Sequence, residues 1–85
     1  MQTITETEIL YLSNEIPKLL GQQIITYRKL KKLSQTQLAN LVGKDRQYIY
    51  KIEKGIVTPN IVTISIIASA LNISLSELFI EIKLK

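Results

Sequence analysis

The sequence predicts a small all-α domain, a compact array of five helices. Three observations carry that expectation. Apolar residues recur at spacings of three and four over most of the 85 residues. Residues suited to capping stand at Ser34, Asp45, Asn60 and Ser74, and Ser34 and Ser74 have Gln37 and Glu77 three positions on, as reciprocal capping boxes require. Gly43 and Asn72 stand where a left-handed residue would end a helix.

In chain order, Thr5 or Thr7 is placed to cap a short extra helix through about Ser13, with Ile9, Leu12 and Ile16 on one stripe. A partly frayed tail is the alternative. Asn14 and Pro17 then punctuate the chain, because proline suits the first turn of a helix and not its interior. The first helix of the core is expected over about Lys18 to Lys32, with Leu20, Ile24, Tyr27 and the following Leu33 inward. Lys29, Lys31 and Lys32 lie near its C-terminus, where cations favour the helix dipole. The division expected is an extension at 1–16, a domain at 17–80 and a tail at 81–85.

Ser34 to Gly55 reads as two short helices joined by a tight turn. Leu38, Leu41 and Val42 mark an apolar face on the first, Ala39 allows another helix to approach closely, and Gly43 stops it. Asp45 caps the second, which runs to about Lys54. At about 100° per residue, Tyr48, Ile49, Ile52 and Glu53 share one side. Arg46, Gln47, Tyr50, Lys51 and Lys54 occupy the other. That outer side has long donors, an amide and a phenol, and no carboxylate. Such a face suits a DNA major groove, where Arg or Lys can bond guanine and Gln can bond adenine.

After the loop at residues 56–60, Asn60 (or Thr58) caps a fourth helix, about Ile61 to Leu71. Ile61, Ile64, Ala68 and Leu71 share a side, and Val62 and Ile66 broaden it, so the helix should be well buried. Leu75 to about Ile80 forms the fifth, with Leu75, Leu78 and Phe79 closing the core. The tail alternates, with Ile80, Ile82 and Leu84 opposite Glu81, Lys83 and Lys85, which suggests a short strand. Such a strand would have to pair with its twin from a second subunit, or fray.

Charge is segregated along the chain. Residues 1–17 carry three Glu and no base, whereas residues 18–54 carry nine Lys or Arg against two acids. The basic density coincides with the segment suited to DNA, as an electrostatic footprint for phosphate should. A solvated lysine face is the plain alternative. There is no cysteine and no histidine, which excludes disulfides, thiolate catalysis and the usual zinc sites. No apolar run is long enough for a membrane span, and the N-terminus lacks the basic start of a signal peptide. A cytoplasmic protein without a cofactor, a membrane association or an enzymatic activity is therefore expected.

The segment resembles the helix-turn-helix of the Cro/cI-type phage repressors, the Xre family. The matching positions are Gln35, Leu38, Ala39, Val42, Gly43, Ile49 and Ile52, and the likeness extends from about Leu20 to Phe79. It implies a lambda-repressor-like helix-turn-helix domain that binds double-stranded operator DNA as a homodimer, with helix 45–54 in the major groove. By position, Arg46, Gln47, Lys51 and Tyr50 would meet bases. Gln35, Lys44, Lys54 and Asn60 would meet phosphates, and Lys31 or Lys32, whose place is already explained by the helix dipole, is a further candidate for the backbone. The resemblance also implies an ion pair between Arg28 and Glu53 that fixes the first helix against the third. The function expected is a transcriptional regulator, most simply a repressor. Alternatives with the same fold are the antitoxin of a toxin–antitoxin module, with a protein partner, and the controller of a restriction–modification operon.

Overall fold

A computed structural model describes residues 3–83, which form five helices and, among those residues, no strand. They are α1 (Glu6–Leu30), α2 (Gln35–Val42), α3 (Arg46–Glu53), α4 (Ile61–Ala70) and α5 (Leu75–Phe79). Each starts on a side chain that accepts a hydrogen bond from an otherwise orphaned backbone N–H: Thr5, Ser34, Asp45, Asn60 and Ser74 in turn. At α5 the Ser74 backbone N–H, donating to Glu77 Oε1, holds the Glu77 carboxyl below its ordinary range.

Helix α1 differs from expectation. The separate N-terminal helix does not exist as such, because Thr5 caps one continuous helix that runs through Pro17 to Leu30. The proline ring is buried, and the packing of the helix beyond it outweighs the one backbone bond that Pro17 cannot make. The helix ends two residues earlier than expected, where Lys32 turns left-handed at φ 59°. The strand expected in the tail is also missing from the described part of it. Ile80 and Glu81 lie in a turn closed by Ile82 N–H on the Phe79 carbonyl, and Ile82 packs on the core. Leu84 and Lys85 lie outside the described residues.

The core draws on every helix. Leu20 and Ile24 of α1, Leu38 of α2, Ile49 and Ile52 of α3, Ile64 and Ile67 of α4, and Leu78 of α5 form one buried cluster. Helix α3 packs on α1 and α2, while α4 packs on α2 and α5. Four side chains expected inside lie at the surface instead: Leu41, Ile61, Val62 and Ile66. Leu75 also stands at the surface rather than closing the core. Helix α4 is apolar on all sides, so its sequence has no periodicity to say which side faces in.

Two contacts fix α3. At Gly21 the backbone of α1 meets the C-terminal end of α3 so closely that a Cβ would stand 2.5 Å from the Glu53 carbonyl oxygen and 2.6 Å from that of Ile52. Beside it, Arg28 of α1 grips the Glu53 carboxylate with two donors, Nε to Oε2 at 2.6 Å and Nη2 to Oε1 at 3.1 Å. Its remaining Nη1 donates to the Leu33 carbonyl at 2.9 Å, and Gln35 Nε2 donates to Glu53 Oε1 at 2.9 Å. A carboxylate at a helix C-terminus opposes the dipole, and here three donors from two other helices offset that cost.

These contacts and the turn at Gly43 give stability predictions that are readable from urea unfolding. Gly21→Ala is expected to destabilise by about 1–3 kcal/mol, because overpacking against fixed carbonyls outweighs the better helix propensity of alanine. Gly43 is left-handed with open space around its Cα, so Gly43→Ala costs only the conformational penalty of about 1–2 kcal/mol. Arg28→Ala strands the buried Glu53 and is expected to cost about 3–5 kcal/mol. That is a large share of the roughly 4–13 kcal/mol open to a chain of this length. An Arg28→Met/Glu53→Leu double variant should recover most of the loss, and an unchanged midpoint for Arg28→Ala would contradict the role assigned to the pair.

Candidate nucleic-acid interface

The interface is built on the corner between α2 and α3. Gly43 takes the left-handed conformation at φ 72°, and the Lys44 N–H closes the end of α2 on the Ala39 carbonyl at 2.9 Å. Asp45 then accepts from the Tyr48 N–H at 2.8 Å and starts α3 in a new direction. Ile49, Ile52 and Glu53 are buried, which fixes how α3 is rotated about its axis. The opposite arc is thereby left in solvent: Arg46, Gln47, Lys51 and Lys54 are exposed and Tyr50 is half-buried.

Two cations on the margins of this arc rest on aromatic rings. Lys44 Nζ lies 5.0 Å from the centroid of the Tyr48 ring, and Lys54 Nζ lies 5.9 Å from that of Tyr50. Both are within the range of a cation–π attraction. Gln35 is half-buried, with its amide held on Glu53. Asn60 is exposed, and its side-chain oxygen is engaged in capping α4 through the Thr63 N–H at 2.9 Å.

Gln35, Tyr50 and Lys54 are brought together along one cleft of about 410 Å³ between α1 and α3, whose other lining residues include Lys18, Gln22, Ile25, Lys29 and the Arg28–Glu53 pair. Lys44 and Asn60 lie outside it. Sequence reasoning gave Lys18 and Gln22 no role and read Lys29 only as a dipole partner. Gly21 was missed as well. A signal for it was present, since a glycine inside a helix costs about 1 kcal/mol relative to alanine and so calls for a packing reason.

Among the described residues, no helix is long and apolar enough to cross a membrane, and no group of His, Cys, Asp or Glu is arranged to hold a metal ion.

Comparisons with known proteins agree with this geometry. Residues 24–78 match the helix-turn-helix family model HTH_3. The control protein C.SmaI of Serratia marcescens is 35% identical over 71 residues, which is 84% of each chain. An immunity repressor protein of Bacillus phage phi105 is 37% identical over 59 residues, which are 69% of this chain but only 41% of that protein. Among solved structures, the restriction-modification controller protein C.AhdI of Aeromonas hydrophila superposes with a TM-score of 0.72 at 39% identity, over 75% of this chain and 97% of that one. With the capped corner at Gly43 and the buried side of α3 both in place, the chain belongs to the HTH_3 helix-turn-helix family of DNA-binding transcriptional regulators.

Proposed function

We propose that the chain binds a palindromic operator in double-stranded DNA as a homodimer, with α3 in the major groove, and represses transcription by occupying that site. The observation that carries the reading is the exposed arc of α3, cationic and amide-bearing and without a carboxylate, on a helix whose other face is locked into the core. A helix with its side chains is about 10–12 Å across, a match for a major groove about 12 Å wide. Arg46 is suited to a bidentate contact with guanine and Gln47 with adenine. Lys51, one turn on, reaches guanine or a phosphate, and Tyr50 a thymine methyl or a phosphate. Gln35, Lys44, Lys54 and Asn60 hold the backbone, which sets register without reading sequence.

The homodimer is supported by the surface of α4. Ile61, Val62 and Ile66 are exposed on a helix without a single charged residue, and large apolar side chains grouped on one helix suit an interaction site. Two copies related by a two-fold axis place half-sites about 10–10.5 base pairs apart. The similarity to C.AhdI and C.SmaI favours one setting, that of a controller protein acting on its own operon.

Arg46→Ala combined with Gln47→Ala tests the base contacts. Each good bidentate pair is worth about 1–3 kcal/mol of discrimination, so the double variant should bind cognate and unrelated duplexes alike in fluorescence anisotropy. Its melting temperature should match the wild type, since both side chains are exposed. Collapse of the fold would place that face inside the protein and end the reading. Val62→Glu with Ile66→Glu is expected to convert a dimer to a folded monomer in analytical ultracentrifugation; a dimer that persists would move the interface elsewhere.

A further inference from the structure

Lys18, Gln22 and Lys29 stand four and seven residues apart along α1, which places them within an arc of about 40° at 100° per residue. All three line the cleft described above, facing Tyr50 and Lys54 of α3. Its floor is the Arg28–Glu53 pair, whose charges cancel and whose donors and acceptors are engaged with each other, Leu33 and Gln35. Among the described residues, no buried side-chain nitrogen or oxygen lacks a partner. Each nitrogen and oxygen of the floor therefore already has a partner, and the rim supplies three ammonium groups, Lys18, Lys29 and Lys54, without an unpaired carboxylate among the lining residues. That is a seat for an anion.

Its position says which anion. Tyr50 and Lys54 belong both to the cleft and to the outer arc of α3. A duplex with α3 in its major groove has a phosphate backbone along each edge of that groove, and one edge then passes the mouth of the cleft. We infer that the cleft seats a backbone phosphodiester of the bound duplex, with Lys18 and Lys29 as its cationic partners and the Gln22 amide as a further donor. The inference rests on the DNA-binding mode proposed above and adds α1 to it. Lys18 and Gln22 precede residues 24–78, where the family model matches, whereas Lys29 lies within them. Residues 1–17 carry only acids, Glu6, Glu8 and Glu15, and the contact along α1 accordingly begins at Lys18.

The test is the affinity of the full chain for a cognate and an unrelated duplex, measured between 50 and 200 mM salt (about the range over which counterion release is steep). Wild type is compared with Lys18→Gln, Lys29→Gln, their double variant and Lys83→Gln. Glutamine keeps much of the aliphatic stem that packs Lys18 near Gly55, and Lys29 is exposed, so at least the second variant folds; thermal melts verify both. With one phosphate seated in each cleft of the homodimer, the double variant should lower the slope of log K against log salt by about 1.8, and each single variant by a part of that. Both duplexes should lose affinity by the same factor, while Lys83→Gln stays at the wild-type slope. Wild-type slopes in the cleft variants, or an equal loss in Lys83→Gln, would overturn the seat alone. A wild-type protein without salt-dependent duplex binding would overturn the DNA-binding mode and the seat together.

Discussion

The bidentate ion pair between Arg28 and Glu53 is the constraint on which the arrangement of this domain depends. Helix α3 has only eight residues, too few to hold a helical shape in water on its own. Its direction and rotation have to be imposed from outside. The Glu53 carboxylate, near the end of α3, is the point at which α1 and α2 both take hold, through Arg28 and Gln35. Gly21 lets the α1 backbone come close enough for that grip. With one end pinned in this way and Ile49 and Ile52 buried, the remaining arc of α3 has a single orientation in which to face solvent.

That division of labour explains why a polar pair is kept inside a small core. Hydrophobic replacements of similar volume can match or exceed the stability of a buried ion pair, so stability is a weak reason for its presence. Orientation is a stronger one. A leucine at position 53 could slide or rotate against its neighbours, whereas a carboxylate with three directed donors admits one geometry. The same cluster forms the floor of the cleft beside α3, so the pair that positions the reading helix also shapes the surface next to it.

The features legible in the sequence are those governed by local chemistry. The caps at Ser34, Asp45, Asn60 and Ser74 and the left-handed stops at Gly43 and Asn72 involve a side chain and backbone groups within a few residues, and these were readable. So was the inner face of α3, where Ile49 and Ile52 recur at helical spacing beside Glu53. Pro17 misleads because local rules say that it ends a helix, while the packing of α1 on α3 and α5 is a tertiary fact. Helix α4 misleads for the opposite reason: a segment that is apolar on every side gives no hint that Ile61, Val62 and Ile66 face outward. The cleft lysines on α1 share a helical stripe, but what makes them a site is α3 standing opposite, a tertiary fact.

The most direct test of the central claim, that the solvent-facing arc of α3 reads a duplex, is selection of bound fragments from random double-stranded DNA. Enrichment of a two-fold symmetric sequence, with half-sites one helical turn apart and the symmetry lost when Arg46 and Gln47 are replaced, is the result this account predicts. Recovery of fragments with no common sequence, or of a motif indifferent to those two residues, would contradict it.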